Sequence, residues 1–467
     1  MIGPENPITR RNPRLAPDSS FAIPPRSTNL MTNPWNRRLA ALCGLVALLA
    51  AGPIGGAAAE TSPATVYTAV IDAGSSGTRI ALYAVVPGPY PVIEELGRHK
   101  GVAGDEGLDD FLNHVGGVNK DLGPDAVGDT VIGPLLDAIA PLLAEKGVPA
   151  GDVVVDLLAT AGMRGVLKPI GSHDQAEVDA YYDNIRRFIS SKGFVAGEVR
   201  TTDGSAEEGL WTWIDVNNRY RDAFRTDKAP VGIVEVGGSS MQVSYPTTAE
   251  PDPAKNIYAV TINGKNFSVF DRTYIGLGQD DARKAMRLEA PPADGGARCF
   301  PTGMQPADDA GDLIRGELVK IGGTAKFDVA QCTASYSAIL AERFAELGDP
   351  VVANSTAPFY GIAAVRYAFE EIGSAPQLPT ATGLADAIAA KCVPEGAVAN
   401  FKISKKYSQR ACSSAAYIDA LLYGPTGLFH SNPDQFRTTV ADQVVVDGKT
   451  VGSISWTSGY LLQKYSR

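Results

Sequence analysis

Basic charge is the first thing this chain is short of. Forty-two Lys and Arg stand against 52 Asp and Glu, a formal net charge of −10, and that sign opposes non-specific attraction to nucleic-acid phosphate. Nucleic acid is therefore not an expected partner, although a local pocket lined by backbone amides could still hold a small phosphorylated ligand without altering net charge. Cysteine is scarce as well: there are five, and none has the C-x2-C spacing of a zinc site, which argues against metal binding through thiols. The apolar run at 39–51 has 13 residues, short of the ~20 that span a bilayer as a helix. Despite 49 Gly and 32 Pro there is no G-X-Y period, low-complexity tract or internal repeat, which excludes fibrous and linker proteins. What remains is 467 residues, 44% of them hydrophobic, enough for one large core or two ordinary ones.

The N-terminus separates from the rest. Arg37 and Arg38 precede the apolar run, and Ala57-Ala58-Ala59 follows with the small residues a signal peptidase accepts, so the pattern predicts an export signal with a mature chain starting near Glu60. Residues 1–32 are rich in Pro, Asn and Arg and read as unstructured, and Met31 is a second plausible start. Residues 1–59 carry six Arg and two acids, net +4, which leaves −14 for the remaining residues. A periplasmic or secreted location follows from this reading. Cys43 falls inside the signal, leaving Cys299, Cys332, Cys392 and Cys412, and an even number in an exported chain predicts two disulfides. Pairing sequence neighbours, Cys299 with Cys332 and Cys392 with Cys412, closes the shortest loops.

Beyond residue 60 the pattern is α/β. Residues 66–71 and 79–86 read as strands around a Gly/Ser turn, 129–146 as a helix, 153–159 as a buried strand, 174–192 as an amphipathic helix and 205–217 as another helix. Residues 231–236 and 241–245 then repeat the plan of strand, Gly/Ser turn, strand. Two such hairpins, each with an acid at the end of its first strand, predict two related lobes facing one cleft.

The first turn is Asp72-Ala73-Gly74-Ser75-Ser76-Gly77-Thr78-Arg79, the second Glu235-Val236-Gly237-Gly238-Ser239-Ser240-Met241-Gln242. Glycines let the backbone approach a ligand and turn N–H groups inward, hydroxyls add donors for phosphate oxygens, and an acid at the rim suits a divalent ion or its waters. One loop can grip a phosphate; two facing loops can grip a phosphate chain with a metal between them. Thr160-Ala161-Gly162-Met163-Arg164 follows the 153–159 strand, where a parallel sheet presents ligand loops. Thr160 and Gly162 could reach phosphate there, whereas Arg164 reads as a structural tie. Between the loops lies Asp203-Gly204-Ser205-Ala206-Glu207-Glu208-Gly209. Complementing a helix dipole accounts for Glu207, while Glu208, with Gly209 leaving it room to face open space, could take a proton from attacking water.

These segments, in this order, resemble the signature regions of the apyrases, the nucleoside triphosphate diphosphohydrolases of the actin-like and sugar-kinase superfamily. The resemblance extends to Phe359-Tyr360-Gly361-Ile362-Ala363-Ala364-Val365-Arg366-Tyr367 and to Trp456-Thr457-Ser458-Gly459-Tyr460, and so covers 66–462; an ordered set of motifs is far more specific than one Gly-rich loop. It implies two actin-like, ribonuclease H-like α/β lobes with the active site between them: lobe one at 60–204 plus 433–467, and lobe two at 205–432. By the same likeness Glu208 is the general base and Ser240 positions the nucleophilic water. Gly74, Ser75, Ser76, Gly77 and Thr78, then Thr160, Ala161 and Gly162, then Gly237, Gly238 and Ser239 contact phosphate. Asp72, Glu235 and Gln242 hold Ca²⁺ or Mg²⁺ through its waters, with Glu235 standing where the family usually has aspartate. Tyr360 and Tyr367 are candidates to stack the base, though core packing explains them almost as well.

The implied reaction is metal-assisted hydrolysis of terminal phosphates from nucleoside tri- and diphosphates. Two other readings stay open at this point. An exopolyphosphatase or guanosine pentaphosphate phosphatase uses similar loops, but usually lacks an export signal and carries an acid in place of Gln242. A non-catalytic actin-like nucleotide-binding protein would need neither Glu208 nor Ser240. Oligomeric state and base preference are not legible.

Overall fold

The computed structural model describes residues 64–466 except 102–106, 115–121, 289–296, 302–310, 315–316, 321–325, 351, 374–380, 395–400, 402–404, 442 and 447–448. The leader, its cleavage point near Glu60 and the alternative start at Met31 lie outside the described residues.

Two sheets organise the chain. The first contains β1 (Val66–Gly74), β2 (Gly77–Val86), β3 (Val92–Lys100), β4 (Val154–Ala159) and β5 (Val195–Thr201) in the order β3-β2-β1-β4-β5. β1 is antiparallel to β2 and parallel to β4. The second is built from β6 (Gly232–Val236), β7 (Ser240–Thr247), β8 (Ile257–Ile262) and β9 (Lys265–Ile275). After the separate hairpin of β10 (Gly311–Ile314) and β11 (Glu317–Lys320) it gains β12 (Phe359–Ala363) and β13 (Phe436–Thr439), giving the order β13-β12-β6-β7-β9-β8. β14 (Gln443–Val446) and β15 (Lys449–Ser453) pair with each other. Because Phe436–Thr439 pairs in parallel with β12, the second sheet reaches past residue 433, where the sequence reading returned the chain to lobe one.

Strand alternation sets what each face carries. The outer face of the first sheet, with Ala69, Ile71, Leu82, Val155 and Leu157, packs on helices including Gly133–Lys146 and Gln175–Ser191. The outer face of the second sheet, with Val234, Val236, Met241 and Val243, packs on helices that include Val329–Leu347 and Lys405–Tyr423. Both expected disulfides, Cys299–Cys332 and Cys392–Cys412, lie in this second core. Among the described residues one helical stretch, Pro124–Lys146, is long and apolar enough to cross a membrane, and half of it is buried.

A third core joins the inner faces. Val70, Tyr83 and Leu158 of the first sheet and Ile233, Val269 and Ile362 of the second enclose Trp211, Trp213, Trp456, Tyr460 and Leu461. The helical stretch 204–220, with its α-helical centre at Gly209–Asp215, and the helix Trp456–Tyr465 therefore lie between the sheets. The Trp211 ring stacks on Trp456 at 5.9 Å and meets Tyr460 edge-on at 4.9 Å. Backbones touch at Gly459, where a Cβ would sit 1.8 Å from the Trp211 carbonyl oxygen. Replacing Gly459 with Ala must push these helices apart, and overpacking of this kind costs about 1–3 kcal/mol; a lowered denaturant midpoint with an unchanged slope is the expected result.

Candidate active site

On the inner faces the alternation switches from apolar to polar toward one edge. Asp72 follows Val70 on β1, Glu235 follows Ile233 on β6, and Gln242 and Ser244 on β7 face Thr273 and Asp271 on β9. The polar ends of the two sheets meet. The β1–β2 hairpin closes through the pair Gly74 and Gly77, leaving Ser75 and Ser76 at its tip, and Gly77 has φ +127°, a backbone that favours glycine. A Cβ at Gly238, on the second hairpin, would lie 2.9 Å from Ser75 Oγ and 3.5 Å from Ser76 Cβ. The two turns thus face one another at close range. Thr160, which opens the segment containing Ala161 and Gly162, donates its N–H to the Ala73 carbonyl at 3.0 Å and so joins the first turn.

The second turn is tied down from behind. The N–H groups of Gly276, Gln279 and Asp280 donate to the carbonyls of Ser239, Gly237 and Gly238 at 2.8, 2.9 and 2.9 Å. Gly278 lies so close that a Cβ there would be 2.3 Å from the Gly238 carbonyl. This support, beyond the signature segments, was not anticipated; the Gly276-Leu277-Gly278 spacing was the available signal.

Glu208 ends a wide helical turn, Gly204–Glu208, that runs into Gly209–Asp215. Its carboxylate is buried, not facing open space, and accepts from Arg164 Nη2 at 2.6 Å. The room beside Gly209 is filled by Asp271, whose Oδ1 would be 2.3 Å from a Cβ at that position. Arg164 is a structural tie, as read from sequence, but a tie to the candidate base: its guanidinium also reaches Thr202 Oγ1 at 3.0 Å and Ser240 Oγ at 3.4 Å. Ser240 Oγ accepts from Gln242 Nε2 at 2.8 Å as well. With its oxygen accepting from both sides, its own O–H is left to donate. Glu207, expected only to complement the helix dipole, pairs with Arg200 at 2.7 and 2.8 Å and accepts the Asp203 N–H.

The acids of the cleft sense one another. Burial pushes the Glu208 carboxyl up, Arg164 opposes this, and Asp72 pushes it further up. Burial and the charges of Glu208 and Asp72 push Glu235 up to about 8, against a hydrogen bond from Thr212. Asp72 is raised by burial and held back by Arg79, Arg98 and a hydrogen bond from Trp456. Trp456 thus links the last motif to the first, a contact no spacing reveals. Buried carboxylates that repel each other, with Glu235 Oε2 and Thr78 Oγ1 buried and unpartnered, form a hard-oxygen set that fits a divalent cation. Among the described residues no group of three or more His, Cys, Asp or Glu is placed to hold a metal ion. Tyr360 sits in β12 opposite Ile233 with its ring edge-on to Tyr220, and Tyr367 is exposed on the following helix. Asn217 ties its helix to β6 through Val231.

Two α/β lobes of the actin-like fold thus bring two acid-bearing glycine hairpins together over a buried glutamate. The chain belongs to the GDA1/CD39 (nucleoside phosphatase) family, which it matches over residues 59–466. It is similar to a nucleoside-triphosphatase of Caenorhabditis elegans, 24% identical across 68% of this chain and 58% of the relative. It is also similar to a probable apyrase of Arabidopsis thaliana, 25% identical across 58% and 54%, and to a human nucleoside diphosphate phosphatase, 28% identical across 50% and 52%. These matches span only somewhat more than half of each relative's length. In fold it is similar to a nucleoside triphosphate hydrolase of Neospora caninum, with a TM-score of 0.59 at 17% identity, covering 86% of this chain and 93% of that one.

Arg164 is the cation paired with Glu208. Arg164→Met removes the charge that favours the ionised form, so the Glu208 titration midpoint should rise, as read by carboxyl carbon NMR; an unmoved midpoint contradicts the pairing.

Proposed function

We propose that this protein hydrolyses the terminal phosphate of nucleoside tri- and diphosphates, as an exported apyrase. One observation carries the reading: Glu208 lies within a hydrogen-bonded set with Arg164 and Ser240 at the root of two facing glycine hairpins. The family match and the names of the similar proteins support the substrate class. Two disulfides in the second core suit an oxidising compartment, which agrees with an export signal before Glu60.

In this mechanism Glu208 takes a proton from a water lying at the terminal phosphorus, and the Ser240 O–H fixes that water's orientation. Oxygen attacks phosphorus in line, the bond to the bridging oxygen breaks, and inorganic phosphate leaves with a nucleotide one phosphate shorter; no phosphoenzyme forms. Gly74 to Thr78, Thr160 to Gly162 and Gly237 to Ser239 supply amide and hydroxyl donors for the phosphate oxygens as charge grows on them. Ca²⁺ or Mg²⁺, held through waters by Asp72, Glu235 and Gln242, would neutralise phosphate charge and polarise the phosphoryl group. Arg164 opposes the rise that burial imposes on the Glu208 carboxyl and so favours its ionised form.

Glu208→Gln keeps the shape of the side chain and its acceptor oxygen but removes the base. Turnover of ATP and ADP should fall by about 10²–10⁴-fold while nucleotide affinity by calorimetry stays within a few fold. Wild-type turnover in that variant refutes the role.

A further inference from the structure

The floor beneath Glu208 carries a carboxyl group that the mechanism above does not use. Asp271 on β9 is fully buried. Its Oδ1 accepts from Ser244 Oγ at 2.6 Å, and the Leu210 backbone N–H donates to the same carboxyl group. The side chain occupies the space next to Gly209, where a Cβ would come within 2.3 Å of Oδ1 and 3.1 Å of Gln242 Cβ. Two residues along the same strand face, Thr273 makes a second support: its N–H donates to Ser205 Oγ at 2.9 Å, and its side chain fills the space a Cβ at Gly204 would need, 2.7 Å away. The wide turn Gly204–Glu208 is therefore gripped at both ends by β9, and the two glycines that bracket it are the positions the grip requires.

This arrangement is costly as a purely structural element. Asp271 Oδ2 is buried without a partner, and a buried polar atom left idle is destabilising. Burial, with the charges of Glu208 and Asp203 behind it, holds the carboxyl well above the usual carboxylate range. The uncharged acid is thereby favoured, and it can stand beside Glu208 without adding a second negative charge.

We propose that Asp271 is a positioning residue for Glu208: by accepting from Ser244 and from the Leu210 N–H while wedged against Gly209, it fixes where the general base stands relative to Ser240. The proposal rests on the reading of Glu208 as base. A misplacement of about 1 Å at a reacting group costs on the order of 10²-fold in rate, which sets the size of the effect.

The test is steady-state kinetics on the full chain with ATP and ADP. Asp271→Ala should lower kcat about 30–100-fold with KM within about twofold of wild type, since the phosphate turns are untouched. Asp271→Asn, which mimics the uncharged acid and keeps an acceptor oxygen, should restore kcat to within about fivefold. Ser244→Ala, which removes one donor and leaves the carboxyl group in place, should lower kcat several-fold at constant KM; it serves if Asp271→Ala does not fold. An Asp271→Ala enzyme with wild-type kcat, a Ser244→Ala enzyme with wild-type kcat, or a loss that Asn does not repair and that raises KM in step each overturns the positioning role. A wild-type chain that releases no phosphate from any nucleotide overturns the reading of Glu208 and this proposal with it.

Discussion

Keeping a carboxylate ionised where water has been largely removed is the constraint on which the rest of this structure depends. Glu208 is buried, and its burial together with the charge of Asp72 pushes it toward the protonated form. Ion pairing of a desolvated carboxylate with a guanidinium at 2.6 Å opposes that push. The same guanidinium is anchored on Thr202 and touches Ser240, so one side chain sets both the charge of the proposed base and its distance to the proposed water-orienting hydroxyl. Asp72 and Glu235 add their own repulsion nearby, which a bound cation would relieve.

The fold delivers this arrangement through two simple rules. Strand alternation puts Asp72, Glu235, Gln242 and Asp271 on the inner faces that also carry the apolar Val70, Ile233 and Val269. Two helices packed between the sheets then fix the separation of the lobes, with Gly459 permitting the backbone contact at Trp211 and Trp456 reaching back to Asp72. Strands, hairpins and interlobe helices each contribute one piece of a site that no single element contains.

Much of this was legible in the sequence because its signals are local. The Gly/Ser turns, their flanking strands and the 174–192 and 205–217 helices follow from period and turn chemistry, and the cysteine pairs from loop closure. Contacts across long separations left no such trace. Arg164 was legible as a tie but not as the partner of a residue 44 positions away, and Gly209 suggested open space when it marks the close approach of Asp271. A short strand at Phe436–Thr439 gives no clue by itself about which sheet it will join; pairing with β12 decided that. Tyr360 and Tyr367 were chosen from a motif's aromatic character, which packing against Tyr220 satisfies for Tyr360 without reference to a ligand.

Phosphate release from a substrate panel tests the central claim most directly. Purified chain would be given ATP, ADP, AMP and long-chain polyphosphate, each with Ca²⁺ or Mg²⁺ and with EDTA. The account expects metal-dependent release from ATP, ADP or both, none from AMP, and loss of all release in EDTA. A preference for polyphosphate, or nucleotide binding without any release of phosphate, would contradict it.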